Sequence, residues 1–345
     1  MTVAPTDISP GVSAASEHPR RLAWLKELVL LPVIVLVLIL GALLTPNFLT
    51  VNNLLNNVLV VSAVLGMVVI AESLILISGY FDLSLESVVG LAPAFAVWLV
   101  LPAVSGGLGL ELPPLLAILL MFVLSVGVGL LNGFLISRLG LNAFIVTLAM
   151  LILLRGLVLG ISGGRTFSGL PAEFLWLGST YPLGIPVQVW ILVIAFAIAA
   201  IFMRRHPVGR KIYAMGGNED AAQAAGINTK RLTVGLFVAG ALIAGFAGLM
   251  LTSRIASVTA SQGDGMIFTV FAAAVIGGIS LNGGKGSMVG ALTGVLLLGL
   301  IQNVLTLTNV PSFWIDAIYG LIILAALTFG VVSGRLRGAF RLGNG

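Results

Sequence analysis

Residues 58–78 read VLVVSAVLGMVVIAESLILIS, with a single charged residue, Glu72. An α-helix needs about 20 such apolar residues to cross the hydrocarbon core of a bilayer. The run is continuously apolar, whereas a strand of a membrane barrel alternates in polarity over segments of about ten residues. In lipid every backbone polar group must find a partner inside the chain, so this run is read as a spanning helix.

Working outward, comparable runs fall at 28–44, 85–101, 114–136, 143–161, 187–203, 232–252, 267–281, 288–307 and 313–333. The sequence therefore predicts an all-α membrane protein of about ten transmembrane helices. Composition agrees: of 345 residues, 59% are hydrophobic and only 8% charged, and mean hydropathy is +1.17. A soluble chain carries about 25% charged residues, so a soluble enzyme, a secreted module and a disordered protein are all excluded. Residues 1–20, rich in Ser, Pro and Ala, read as a flexible tail. The run from Leu28 to Leu44 is longer than a signal-peptide core and leads into more membrane, so it is taken as the first span. Residues 21–335 are read as one polytopic membrane domain, and 336–345 as a C-terminal tail.

Charge placement sets the orientation. The chain has 17 Lys and Arg residues. With the N-terminus inside, Arg20, Arg21, Lys26, Arg138, Arg204, Arg205, Arg210, Lys211, Lys230, Arg231, Lys285, Arg335, Arg337 and Arg341 all face the cytoplasm. The exceptions are Arg155, Arg165 and Arg254. Loops rich in Lys and Arg stay inside, so both termini are expected in the cytoplasm. The net charge of +5 is accounted for by those loops rather than by nucleic acid. There are no cysteines, and both histidines, His18 and His206, sit beside prolines. Neither a disulfide, a thiolate metal site nor a cofactor site is indicated. No nucleophile-and-base arrangement or paired-acid hydrolase site is visible.

The longest inside loop, 204–231, contains Gly216-Gly217-Asn218-Glu219-Asp220-Ala221-Ala222-Gln223-Ala224-Ala225-Gly226. Asn218 is a good N-cap, Glu219 and Asp220 complement the dipole of the first turn, and Gly226 suits the C-terminal cap. The body is almost all alanine and carries no catalytic group. Two readings stay open: a small-faced helix that docks a cytoplasmic partner, or a hairpin that packs on its own membrane domain.

Gly277-Gly278-Ile279-Ser280-Leu281-Asn282-Gly283-Gly284-Lys285-Gly286-Ser287 invites comparison with a phosphate-binding loop. That loop needs Gly, four residues, then Gly-Lys-Ser/Thr. Here Ile279 stands at the first glycine position and Gly286 follows Lys285, so a tight turn between spans is the better reading. Gly286, Gly290 and Gly294 at spacing four allow close helix packing, within the chain or between subunits. Among the acids near the membrane, Glu72, Asp82, Glu86, Asp264 and Asp316, intramembrane carboxylates are candidate functional groups. Asp82 and Ser84 lie at a break between spans and are read either as path-lining groups or as caps of the restarting helix. A buried pair with an arginine such as Arg155 is the other structural possibility. Asp82, Ser84 and Asn282 are the polar positions named for a translocation path.

At these motifs the chain resembles the ribose-type sugar permeases of bacterial ATP-binding-cassette importers, relatives of the branched-chain amino acid permeases. The matching stretches are Thr45–Leu54, Ser78–Ser84, Asn142–Leu148, Leu154-Arg155-Gly156, Gly209–Asn218 through Gly226-Ile227-Asn228, Gly277–Gly286 and Val310–Trp314, covering about residues 20–335. The resemblance implies a type II importer fold in the bacterial inner membrane. It makes 216–226, with Gly216, Gly217, Asn218, Glu219, Asp220, Ala221, Ala222, Ala225 and Gly226, the coupling helix that seats in an ATPase subunit. It also implies an external substrate-binding protein and a second permease subunit, with ATP hydrolysis on the partner and no covalent chemistry on this chain. Two departures stand out. Tyr80-Phe81 occupy a place where the family has one residue, and Glu86 stands where it usually has Gly. The implied cargo is a monosaccharide or related small polar solute rather than ribose in particular. An amino acid permease of the same architecture and an ion-coupled transporter using Glu72 and Asp316 are the alternatives.

Overall fold

A computed structural model describes residues 30–311, 313–315, 317–321, 324 and 328. The two expected tails, most of the run at 313–333, and Asp316 lie outside the described residues. Those described are helical, apart from loops and one isolated antiparallel bridge between Phe167 and Val258. Six helical stretches among them are long and apolar enough to cross a membrane: Asn53–Ile77, Pro114–Ser137, Ala143–Ser162, Val187–Arg205, Thr229–Ile255 and Met288–Leu307.

The helices are α1 (Leu31–Leu44), α2 (Val60–Ile77), α3 (Leu85–Val100), α4 (Pro114–Ser137), α5 (Ala143–Ser162) and α6 (Ala172–Ser179). They continue with α7 (Val187–Arg205), α8 (Pro207–Gly217), α9 (Glu219–Ala224), α10 (Thr229–Ile255), α11 (Met266–Ile276) and α12 (Met288–Leu307). Their starts follow local chemistry. Asn142, Asn228 and Ser287 each accept a backbone N–H from the first turn they precede, at 3.2, 3.0 and 3.0 Å. The Asn228 cap explains why α10 begins before its apolar run does.

α2 is the axis of the bundle. All but one of its residues are buried, and it packs on α7, α10, α11 and α12. A π-helical turn, Asn53–Leu59, leads into it. Asn53 and Asn303 clamp that turn to α12 by reciprocal amide bonds of 2.7 and 3.0 Å. α10 lies along α4, where small residues bring the backbones together: a Cβ on Gly133 would sit 2.7 Å from Cα of Val234. The outer helices instead leave Leu119, Ile152, Ile198 and their neighbours exposed, the surface that a lipid environment covers.

Two expectations change. The run at 267–281 supplies a helix only to Ile276, because Gly277 and Gly278 (φ +87°) end it. The stripe Gly286, Gly290 and Gly294 is not one helix face: Gly286 precedes α12. Gly290 and Gly294 press against the backbone of Gly277 and Ala273, so this packing lies within the chain.

Candidate functional site

The loop after α7 folds as a helical hairpin. Pro207 sits at the start of α8, a position where its missing N–H costs nothing, and His206 Nδ1 accepts the N–H of Val208 at 3.3 Å. Asn218 Oδ1 accepts from Ala221 at 2.8 Å and opens α9. Gly226, at φ +81°, closes it, with Gly226 N donating to the carbonyl of Gln223 and Ile227 N to that of Ala222. The caps read from the sequence are therefore both present.

Three glycine-bearing segments meet at this hairpin. Gly216 packs so tightly that a Cβ would overlap the carbonyl oxygen of Ile77, at the end of α2. A Cβ on Gly283 would lie 2.6 Å from the carbonyl oxygen of Gly216 and 2.9 Å from Cα of Gly79. The amide of Gly284 donates to Ile77 at 2.8 Å, and Tyr213 donates its hydroxyl proton to the carbonyl of Gly286 at 2.8 Å. The α2–α3 break, the α8–α9 hairpin and the α11–α12 turn thus form one junction, backbone on backbone.

α9 has two faces. Ala222 is buried at 4% exposure, and Glu219 accepts the Tyr80 hydroxyl proton at 3.0 Å. Gly217, Asn218, Asp220, Ala221, Ala225 and Gly226 are exposed. One face packs on the membrane domain, and the other is an open surface of small and polar residues. Ala222 belongs to the inner face.

The named path residues separate. Asp82 and Ser84, each 1% exposed, are locked together: Ser84 N and Oγ donate to Asp82 Oδ1 at 2.9 and 2.6 Å. Asn132 of α4 donates to Ser84 Oγ at 2.9 Å, and Asp82 N donates to Glu72 at 3.4 Å. Asn282 is exposed on the α11–α12 turn. Neither Asp82 nor Ser84 caps α3 with its side chain, since the Asp82–Ser84 bonds turn inward within the break. Arg155 pairs at 2.7 Å with Asp264, whose side chain is 62% exposed, so this is not a buried pair with an acid of the break. Glu86, in the first turn of α3, instead accepts the N–H of Ile267 at 2.9 Å and starts α11.

Tyr80 is the residue that sequence reasoning did not single out as functional. Its ring packs on Phe237 at 6.3 Å, while its hydroxyl reaches α9. The signal was there, because Tyr80-Phe81 is the place where the break departs from the related pattern.

A bundle of apolar helices whose hydrophilic hairpin is tied to a break in its central helices defines a multi-pass membrane transport component. The chain belongs to the family described as branched-chain amino acid transport system / permease component, which matches residues 54–327. It is 34% identical over 298 residues to the ribose import permease protein of Haemophilus influenzae, covering 85% of this chain and 90% of the relative. It is 36% identical over 294 residues to the ribose import permease protein of Bacillus subtilis, covering 85% and 88%. With the L-arabinose ABC transporter permease protein of Azospirillum brasilense the identity is 34% over 334 residues, 95% of this chain and 96% of the relative. No solved structure matches the chain.

Proposed function

We propose that the chain is the membrane-spanning permease subunit of an ATP-binding-cassette importer that carries a monosaccharide or related small polar solute across the bacterial inner membrane. The names of its relatives, which import ribose or L-arabinose, support a sugar over an amino acid. Ten spans with both termini cytoplasmic are supported by the apolar helices and by the positions of Lys and Arg. Residues 21–335 act as one permease domain between the tails 1–20 and 336–345, with 204–231 as its coupling loop.

One observation carries the reading. The α8–α9 hairpin offers an open face of Gly217, Asp220, Ala221, Ala225 and Gly226, while its buried face is fixed to the α2–α3 break through Tyr80 and Glu219. A separate ATPase subunit seats on the open face. Gly216, Asn218, Glu219 and Ala222 hold that face in position. ATP binding draws the coupling helices of two permease subunits together, and the glycine junction passes the movement to α2, α3 and α11. An external binding protein delivers the solute. The chain itself performs no covalent chemistry; packed interfaces of this kind shift between discrete arrangements rather than deform continuously.

The test is uptake into vesicles that hold the chain with its candidate ATPase and binding protein. Labelled D-ribose or L-arabinose should enter only with ATP, and entry should survive collapse of proton and sodium gradients. Uptake that follows an ion gradient without ATP would overturn the reading.

A further inference from the structure

Two of the three arginines that break the charge rule, Arg155 and Arg254, come from different helices, α5 and α10. Arg155 of α5 donates to Asp264 Oδ2 at 2.7 Å, while Arg254 ends α10. Asp264 and Arg254 both line a groove of about 640 Å³ between α2, α10, α11, α12 and Ile315, Tyr319 and Gly320. That volume lies within the range of about 300–1,000 Å³ typical of small-molecule sites.

The groove is lined by polar groups without protein partners. Ser62 is fully buried against Gly299, so its hydroxyl lies behind the groove wall and not on it. The side chains of Thr269, Gln302 and Arg254, and the Oδ1 atom of Asp264, make no hydrogen bond among the described residues. Phe268 and Tyr319 add aromatic surface to the same wall. Groups of this kind do not face lipid, because charged and unpaired polar groups at membrane depth are expensive and turn to a protein interior or water-filled cavity. The set is also mixed: a cation, an anion held by Arg155, an amide, the Thr269 hydroxyl and aromatic faces. The groove carries both signs of charge, so a simple anion or cation would also meet a like charge in it. A neutral molecule with many hydroxyls, each able to donate and accept, satisfies them all.

We infer that this groove is a transit site for a neutral polyhydroxylated solute, a monosaccharide, with Arg254, Asp264, Thr269 and Gln302 as its polar contacts. The inference rests on the permease reading above and adds the residues that would touch the solute. Arg155 acts through Asp264 as a positioning residue.

The absence of cysteine makes a direct test possible, since a single introduced thiol is the only one in the chain. Thr269→Cys and Gln302→Cys would be placed singly in the complete importer, with Ile152→Cys on the 64%-exposed outer face of α5 as control. The probe is the membrane-impermeant reagent 2-sulfonatoethyl methanethiosulfonate, with D-ribose or L-arabinose as protectant. Both groove cysteines should react and the Ile152 variant should not, and saturating sugar should slow the groove reactions by about tenfold. Wild-type uptake of the same sugars is measured alongside. If the wild type takes up neither sugar, the sugar reading falls and this site with it. Sugar uptake with unreactive groove cysteines, or with reaction rates that the transported sugar leaves unchanged, overturns the site alone.

Discussion

The amide of Gly284 donates to the carbonyl of Ile77 at 2.8 Å, joining the α11–α12 turn to the last turn of α2. Gly216 of the coupling hairpin lies against the same carbonyl. One oxygen is therefore shared by the three segments through which a pull on α9 must travel.

Gly216 and Gly217 are neighbours with opposite expected sensitivities. A Cβ at Gly216 meets the Ile77 carbonyl and the Gly284 amide, whereas at Gly217 nothing lies within 4 Å. Gly216→Ala should destabilise the purified protein by about 1–3 kcal/mol, because backbone cannot move aside as a side chain does. Gly217→Ala, on an exposed helix end, should change stability by less than about 1 kcal/mol. Thermal unfolding in detergent, followed for both variants side by side, checks the contrast.

Tyr80→Phe removes the hydroxyl that donates to Glu219 and keeps the ring on Phe237. The loss of stability should stay within about 1.5–3 kcal/mol, the range for one hydrogen bond to a charged group. Coupling should suffer more: solute moved per ATP hydrolysed should fall, measured in vesicles as the ratio of the two rates. An unchanged ratio would remove Tyr80 from the transmission path.

Asn53 and Asn303 exchange two amide bonds while 4% and 7% exposed. Asn53→Ala should destabilise by about 1–3 kcal/mol, because it leaves the buried Asn303 amide unpaired, and Asn303→Ala by less, because Asn53 still donates to the Phe48 carbonyl and accepts from Asn57. The double variant should cost clearly less than the sum, and a double-mutant cycle reads that coupling. Additive losses would mean that the pair does not hold the π-helical turn to α12.

Much of this architecture is legible in the residues. Continuous apolar runs locate the spans because lipid permits few backbone solutions, and the Asn218 and Gly226 caps follow from chemistry within a few residues. What escapes is tertiary. Nothing local says that Gly79, Gly216 and Gly283 share one junction, or that Glu86 of α3 starts α11 rather than helping its own helix. Arg155 could pair with any acid near its depth; the descent of residues 256–265, anchored by the three hydrogen bonds of Gln262, brings it Asp264. The shortness of α11 is local instead: Gly277 and Gly278 end it inside its apolar run.

Asp82→Ala removes the acceptor of both Ser84 bonds inside a fully buried break. The loss should be at least about 2 kcal/mol, since the Ser84 N–H and hydroxyl are left without that partner. Asp82→Asn, which keeps an acceptor oxygen, should recover part of it. Equal stability of the two variants, measured by thermal unfolding, would show that the Ser84 bonds do not hold the break.

The central claim is that the open face of α9 seats an ATPase, and co-purification tests it most directly. The chain is co-expressed with its candidate ATPase subunit, alongside a variant carrying Gly217→Arg and Ala221→Glu. Both changes project from exposed positions, so the variant should still fold and insert. The account predicts a complex with the original chain and its loss, by at least about tenfold in yield, with the variant. A variant that inserts normally and still retains the ATPase would contradict it.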